Sequence, residues 1–157
     1  MVQDVTSAST LYKYELSQAM RFVCGLQPGN YAITSGQAAQ GDKRGAYCEE
    51  DESRNWYFAV GGYAAWGKGR AIVTSKNGKL DFWLSFEYKF FDRYNWDGKK
   101  AVLLPVIKQK IHDKFMADFH RMGIAREFNM VGSPKRSIKW RADTGLPSAT
   151  VTLGKGR

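Results

Sequence analysis

The chain has two histidines, His112 and His120, which bracket a segment with helical periodicity. On a helix their separation is about 12 Å along the axis, so the pair cannot bind one metal ion. A histidine beside a carboxylate and a guanidinium suits general acid/base cleavage of a phosphodiester. His120, Arg121 and Asp118 are therefore the candidate catalytic residues, with Lys114 as a second candidate cation. The alternative is a solvated histidine near a helix C-terminus, where the helix dipole favours its charge.

The segment 92–98 is predicted as a loop with two kinds of chemistry. Asp92, Asn95 and Asp97 offer the oxygen ligands of a hard cation such as Mg²⁺ or Ca²⁺, but these are also ordinary turn residues. Aromatic and basic side chains stand together here, which suits base stacking or anchoring at a membrane interface. The candidate binding residues are Arg93, Tyr94, Trp96, Lys99 and Lys100.

A second basic cluster lies in the segment 135–141, which is predicted to contain the last strand, over 137–140. Successive side chains of a strand point to opposite faces, so basic residues at alternate positions share one side. Such a row can follow a phosphate backbone. The candidate binding residues are Lys135, Arg136, Lys139 and Arg141, and Lys135, Ser137, Lys139 and Arg141 are predicted to share one side.

Net charge is distributed unevenly along the sequence. Residues 1–88 contain nine basic and nine acidic residues, whereas residues 89–157 contain fifteen basic and six acidic residues. The second segment therefore carries the whole net charge of +9. This asymmetry indicates a polyanionic partner, either nucleic acid or an anionic membrane. The alternative is a basic surface that serves solubility alone.

No familiar catalytic signature is present. The sequence lacks a nucleophile elbow, a Walker loop, a zinc-protease helix and a dinucleotide-binding glycine motif. Gly67–Arg70 resembles a phosphate loop only in composition. Cys24 and Cys48 are predicted to be reduced thiols, with one disulfide between them as the alternative. We therefore predict no metal and no cofactor.

The elements that must position these residues begin with an amphipathic helix. Apolar side chains recur at helical spacing after a small, polar segment, residues 1–9, that is predicted to be a loose tail. Ser9 or Thr10 is a suitable N-cap, and Gly25 can end the helix in a left-handed conformation. The apolar stripe consists of Tyr12, Leu16, Ala19, Met20 and Val23.

Residues 35–54 are predicted to be a polar connector that ends in a solvated acidic run, Glu49–Glu52. Apolar residues alternate in the segment 56–60, which predicts a half-buried strand. Gly61 and Gly62 then allow a bend.

Asn77-Gly78 is a strong hairpin signal between two β-rich runs, 70–75 and 79–91. It predicts a type I′ turn with Val73 opposite Phe82 and Ala71 opposite Leu84. The core face then holds Leu80, Phe82, Leu84, Phe86, Tyr88 and Phe90, and the wetter face holds Asp81, Trp83, Ser85, Glu87 and Lys89.

Further elements follow the hairpin. The apolar run 101–107 contains Pro105, which favours an edge strand or an extended segment. A helix is predicted near 113–122, with Phe115, Phe119 and Met122 as its core stripe. Residues 143–157 are predicted to be a loose tail. Together these elements predict a single α+β domain, with an antiparallel sheet built around the 70–91 hairpin, an N-terminal helix and a second helix near 113–122.

Two stretches together resemble known proteins. They are the segment from Phe90 to Lys99 and the segment from Phe119 to Phe128, with Gly132 beyond it. Both are similar to segments near the C-terminal ends of bacterial polymorphic toxins, including Rhs-type effectors of type VI secretion systems. The resemblance implies a toxic tip of a larger effector that is secreted into a target cell and has a cognate immunity protein. It would account for the lack of a signal peptide and of a transmembrane segment here, and it implies no particular catalytic residues.

Three functions are open at this stage. The first is an interbacterial toxin domain that binds or cleaves nucleic acid, as a phosphodiester-cleaving nuclease if it is an enzyme. The second is a toxin domain that acts on anionic membranes without catalysis. The third is a binding module that sits on a polyanion without toxicity.

Overall fold

A computed structural model describes residue 1 and residues 5–38, 46–94, 101–104, 109–123 and 126–149. The predicted α+β class is confirmed. The helices are α1 (Thr6–Cys24), α2 (Arg54–Ala59) and α3 (Asp113–Arg121), followed by a 3-10 turn at Ala142–Thr144. The strands are β1 (Gly29–Thr34), β2 (Ala64–Lys76), β3 (Lys79–Tyr94), β4 (Ala101–Leu104), β5 (Gln109–His112), β6 (Phe128–Gly132) and β7 (Lys135–Arg141).

The main sheet is antiparallel and four strands wide. β1, β2 and β3 lie side by side, and both β6 and β7 pair with the free edge of β3. Gly132 lies opposite Phe90 and Lys135 lies opposite Glu87, so the two short strands keep one register. They form one long edge that is interrupted at Pro134, which has no N–H but accepts a 3.0 Å hydrogen bond from the Tyr88 amide.

The predicted hairpin is confirmed in its turn and in its register. Asn77 and Gly78 have φ values of 52° and 74°, as the two central residues of a type I′ turn require. Val73 lies opposite Phe82 and Ala71 opposite Leu84. The two-residue turn fixes the pairing of the two longest strands, and therefore which face of β3 is buried.

The core lies between α1 and one face of this sheet. α1 packs across β2 and β3, and the ring of Tyr12 makes edge contacts with Phe86 at 6.1 Å and with Tyr88 at 5.4 Å. Of the helices in the described part of the chain, α1 is the one with extensive contacts to β2 and β3. The buried sheet residues are Ala65, Ala71, Val73, Phe82, Leu84, Phe86, Tyr88, Ile138 and Trp140, and α1 contributes Ala8, Leu11, Tyr12, Leu16, Met20 and Val23.

The prediction of a strand over 56–60 is wrong, because Arg54–Ala59 is the helix α2. Three alternating apolar residues fit a single turn of helix as well as a strand, so the pattern is too short to decide. The carbonyl of Trp56 accepts hydrogen bonds from Val60 at 2.8 Å and Gly61 at 3.2 Å. Gly61 then takes a φ of 61°, in agreement with the predicted bend, and β2 begins at Ala64.

The predicted start of the first helix is wrong, and its predicted end at Gly25 is right in position but not in conformation. The helix begins at Thr6, so residues 6–9 are not a loose tail, and Val5 and Ala8 are buried. The cause is a distant side chain: Glu52 accepts a 2.7 Å hydrogen bond from the Ser7 amide, and its other oxygen lies 2.7 Å from the Ser7 hydroxyl. A carboxylate at this position satisfies a free helix amide and complements the helix dipole. At the other end, Gly25 is right-handed, with a φ of −86°.

The second predicted helix is present as α3, but two residues of its predicted core stripe, Phe115 and Met122, are exposed. Phe115 is 55% exposed and Met122 is 69% exposed. Among the described elements α3 contacts β5, which pairs with β4 in a separate two-stranded sheet. The strand predicted within 101–107 is therefore confirmed at 101–104, and Pro105 lies outside the described residues. No described helix has the length and hydropathy needed to cross a bilayer.

The C-terminal part of the chain contains more regular secondary structure than predicted. β7 covers 135–141 rather than 137–140. Asp143, which was predicted to begin a loose tail, forms a 2.9 Å ion pair with Lys79. Residues 150–157 lie outside the described part of the chain. Cys24 is exposed and Cys48 is buried, and both are free thiols, so the disulfide alternative is wrong.

Candidate functional site

The sheet face that points away from α1, called here the open face, carries most of the predicted binding residues of the second basic cluster. Lys135, Ser137, Lys139 and Arg141 are all exposed on it, as predicted. The strand alternation of β3 places Trp83, Ser85 and Glu87 beside them. Its central residues are Lys68, Arg70 and Ile72 from β2, Asp81, Trp83, Ser85, Glu87 and Lys89 from β3, and Lys135, Ser137, Lys139 and Arg141 from β7.

Basic residues from both halves of the sequence meet on this face. Lys68 and Arg70 belong to the half with no net charge, but β2 places them across β3 from Lys135 and Ser137. Among the described residues, Lys68, Arg70 and Lys139 have no ion-pair partner. The charge asymmetry along the sequence is therefore not the charge asymmetry of the folded surface, and Lys68 and Arg70 are site residues that the sequence did not indicate.

Aromatic side chains interrupt the basic ones on the open face. Trp83 lies between Ile72 and Lys139 in neighbouring strands, and Trp66 and Phe91 lie further along the same face. None of the three aromatic side chains packs against the core. Trp83, Ile72 and Lys139 line a shallow depression of about 620 Å³. The open face therefore combines flat aromatic rings with positively charged side chains in neighbouring strands.

The Glu87 carboxylate on this face is neutralised by basic neighbours. Glu87 accepts a 2.8 Å hydrogen bond from Lys89 and lies 3.7 Å from Lys135. The hydrogen bond from Lys89 is the largest influence that holds the pKa of Glu87 below its ordinary value, and the charges of Lys89 and Lys135 add to it. Arg141 is paired with Asp143 at 3.3 Å. These pairs are exposed or partly exposed, so each contributes little to stability and can exchange for other partners.

Arg136 does not join the other three basic residues of its cluster. It lies opposite Phe86, on the face that packs against α1, and is half-buried. Its guanidinium hydrogen-bonds the Tyr12 hydroxyl, which opposes the rise in the pKa of Tyr12 that burial causes. The strand alternation thus gives Arg136 a structural contact beneath the sheet rather than a place on the open face.

The stretches Phe90–Lys99 and Phe119–Phe128 contact each other at the far end of β3. Tyr94 lies opposite Phe128, with their rings stacked at 4.9 Å, and Arg93 forms a 3.1 Å ion pair with Glu127. Phe128 remains exposed. Of the loop candidates, Arg93 and Tyr94 are therefore held by the sheet. Asn95, Trp96, Asp97, Lys99 and Lys100 lie outside the described residues.

The candidate catalytic residues lie on α3. Arg121 and Asp118 form a 2.6 Å ion pair one turn apart, and both are largely exposed. His120 is also exposed, and His112 is the N-cap of the helix. Neither of the two described cavities is lined by any of these side chains. The sequence is right about the proximity of Asp118 and Arg121, which follows from helical spacing.

A second cavity, which sequence reasoning missed, lies between α1 and β1. Glu15 lines it and is only 2% exposed. The signal was present in the sequence, because Glu15 lies four residues after Leu11 and three after Tyr12, within the apolar stripe of the helix. A carboxylate at a core position of an amphipathic helix is unusual and marks a site with a specific role.

Two buried tyrosines extend the polar interior near Glu15. The hydroxyls of Tyr63 and Tyr88 make no hydrogen bond in the described part of the chain. Burial raises the pKa of both phenols well above the ordinary value, and the charge of Glu15 contributes to the rise for Tyr88. Within the described residues, no group of three or more His, Cys, Asp and Glu side chains is arranged to hold a metal ion.

Comparisons with protein-family models, with curated proteins and with solved structures found no match for this chain.

Proposed function

We propose that the open face of the sheet binds single-stranded nucleic acid. The observation that carries this proposal is the position of Trp83, a ring on the open face between Lys139 and Ile72, with Arg70 one row away. Bases stack on such rings without regard to sequence, and the surrounding cations attract the backbone. Lys139 and Arg141 lie two positions apart on β7, about 6.7 Å along the strand, and Lys135 lies four positions before Lys139.

The shape of the face favours a single strand over a duplex. Major grooves admit a helix or a two-stranded ribbon, whereas this sheet is four strands wide. Four-stranded sheets with exposed aromatic residues on one face are a recurrent platform for unpaired bases, and two or three rings stack two or three bases. Trp66, Trp83 and Phe91 supply three rings on one face here.

The biological setting is part of the same proposal. The resemblance of the Phe90–Lys99 and Phe119–Phe128 stretches to polymorphic toxins supports an antibacterial effector domain that meets nucleic acid in the recipient cell and is neutralised by an immunity protein. The contact of these two stretches through Tyr94 and Phe128 supports reading them as one structural unit. Induction of the domain in bacterial cytoplasm and periplasm, followed by RNA integrity, DNA integrity and membrane potential, tests this setting. Cytoplasmic toxicity with loss of RNA or DNA supports a nuclease, in which case His120→Ala must remove toxicity but not binding.

The binding proposal is tested by fluorescence anisotropy with labelled single-stranded RNA, single-stranded DNA, duplex DNA and anionic vesicles. Replacing Trp83 by Ala is expected to weaken single-strand binding by about 5- to 150-fold, the effect of losing one base–aromatic stack of about 1–3 kcal/mol. Tyr14→Ala is the matched control, because Tyr14 is an exposed aromatic residue on α1, away from the open face. It should leave the affinity unchanged.

Three results decide against this proposal. Equal losses in the Trp83 and Tyr14 variants would show that the open face is not the binding surface. Binding of the wild-type protein to anionic vesicles but to none of the oligonucleotides would instead support the membrane-acting alternative. Absence of binding to all four probes at low salt would remove the polyanion hypothesis altogether.

A further inference from the structure

One carboxylate of the open face, that of Asp81, differs from Glu87 in having no basic partner. Asp81 lies opposite Thr74 of β2 and Arg141 of β7. Within the described part of the chain its carboxylate forms no ion pair and no hydrogen bond, and Arg141 pairs with Asp143 instead. A carboxylate repels phosphate, so on a face that attracts a polyanion it suits a ligand group that donates hydrogen bonds.

Asp81 borders the same shallow depression as Trp83. The two residues are neighbours on one face of β3, about 6.7 Å apart along the strand. Both are partly exposed, so the ring and the carboxylate are accessible together. A purine that stacks on Trp83 is long enough to bring one edge to the Asp81 carboxylate.

The pairing of three strands sets the order of polar groups at this end of the depression. The row Thr74, Asp81 and Arg141 presents a hydroxyl, a carboxylate and a guanidinium in that order, and all three side chains line the depression. The carboxylate accepts two hydrogen bonds and donates none, whereas the guanidinium only donates. Arg141 is exposed, and its pair with Asp143 can exchange for another partner.

This order of groups selects among bases. Of the four common bases, guanine alone presents two adjacent N–H donors on its Watson–Crick edge, the 2-amino group and the ring N1–H, and the acceptor O6 follows them. Adenine and cytosine present an amino group next to an acceptor, and uracil or thymine presents a single N–H between two carbonyls. Unpaired bases are read on this edge while their rings stack on aromatic side chains.

We propose that the depression beside Trp83 is a guanine site, in which Asp81 accepts from the N1–H and 2-amino groups and Arg141 donates to O6. This inference rests on the proposed single-strand binding of the open face. It adds to that function a preference for guanine at one position.

The test uses labelled thymidylate 12-mers that carry one central guanine, adenine or hypoxanthine, the last of which lacks the 2-amino group. For the wild-type protein the guanine oligonucleotide is expected to bind about 5- to 150-fold more tightly than the adenine one, the range for a bidentate base contact. The hypoxanthine oligonucleotide should fall between them. Anisotropy at one fixed salt concentration measures all three affinities.

Asp81→Asn replaces one acceptor oxygen by a donor, which matches the amino group and adjacent acceptor of adenine. It should remove the guanine preference, with adenine bound at least as tightly as guanine and oligothymidylate bound no more weakly than by the wild-type protein. Glu50→Gln is the matched control, because it removes the same charge from an exposed carboxylate in the segment before α2. The control should keep the wild-type preference.

A second variant keeps the test decisive if Asp81→Asn fails to fold. Arg141→Gln changes an exposed side chain and should reduce the guanine preference several-fold by weakening the contact with O6. Absence of a guanine preference in the wild-type protein overturns the inference. Persistence of the full preference in the variants of Asp81 and Arg141 that fold overturns it as well.

The two proposals fail in distinguishable ways. If the wild-type protein binds oligothymidylate but without guanine preference, the open-face function stands and the guanine site falls. If it binds no oligonucleotide, the open-face function falls. Titration with free guanosine monophosphate then decides the depression by itself, because saturable binding that Asp81→Asn abolishes supports the site and no binding removes it.

Discussion

Replacing Lys68 and Arg70 by Gln distinguishes the folded arrangement of charge from its order in the sequence. By sequence alone, basic residues before residue 89 are expected to contribute hardly anything to polyanion binding. The structure places both on the open face, exposed and without an ion-pair partner among the described residues. Each phosphate contact with a single strand contributes about 0.7 to the slope of log K against log salt. The double variant should therefore flatten the slope by up to about 1.4 units.

The assay is anisotropy of a labelled single-stranded 12-mer, titrated at several salt concentrations between about 50 and 300 mM. The matched control is Lys13→Gln with Arg21→Gln, which removes the same charge from exposed positions on α1. Control and wild-type slopes should agree, because α1 lies behind the sheet. Equal flattening in both double variants would show that total charge, rather than the open face, governs binding. An unchanged slope after loss of Lys68 and Arg70 would refute their placement in the interface.

Three further predictions concern stability, measured by denaturant titration. Phe82→Ala should cost about 3–5 kcal/mol, because Phe82 is buried and stacked on Trp140 at 5.2 Å, whereas Trp83→Ala on the open face should cost clearly less, and equal losses would contradict the assignment of faces. Glu52→Gln should cost about 1 kcal/mol by weakening the cap on α1, and no loss would show that the contact with Ser7 is dispensable. Because burial raises the pKa of Tyr88, its folded phenol stays protonated while the unfolded one ionises above its ordinary pKa of 10.0. Stability present below that pH should fall above it by up to about 1.4 kcal/mol per pH unit, Tyr88→Phe should reduce the fall, and an unchanged profile in that variant would contradict this assignment.

The features that the sequence predicted correctly are those that neighbouring residues decide. Asn77-Gly78 determines its own turn, and a two-residue turn then determines every pair of β2 and β3, including Val73 with Phe82. The start of α1 has no such local cause. Ser9 and Thr10 are good N-caps by type, but the acceptor that Glu52 supplies from a distant loop moves the start to Thr6.

In the candidate site, too, some placements follow from neighbouring residues and others depend on distant ones. Alternation along one strand was enough to place Lys135, Lys139 and Arg141 on one face, and also to separate Arg136 from them, since it is out of phase. Whether Lys68 joins these residues on the open face depends on how β2 aligns with β3 and β7. Strand alternation alone does not give this alignment. The helical spacing along α1 likewise shows that Glu15 lies in the apolar stripe. It does not show that Gly67 leaves room beside the Glu15 side chain.

Pairing across the sheet changes the physical meaning of the charge asymmetry. The first half of the chain is neutral because its basic residues are balanced by acidic ones such as the run Glu49–Glu52. In the fold, β2 carries Lys68 and Arg70 to the open face, while Glu52 caps α1 on the opposite side of the sheet. Acidic and basic residues that cancel in the sequence are thus separated in space. A ligand on the open face therefore lies near basic residues from both halves of the sequence, whereas Glu52 lies on the α1 side of the sheet.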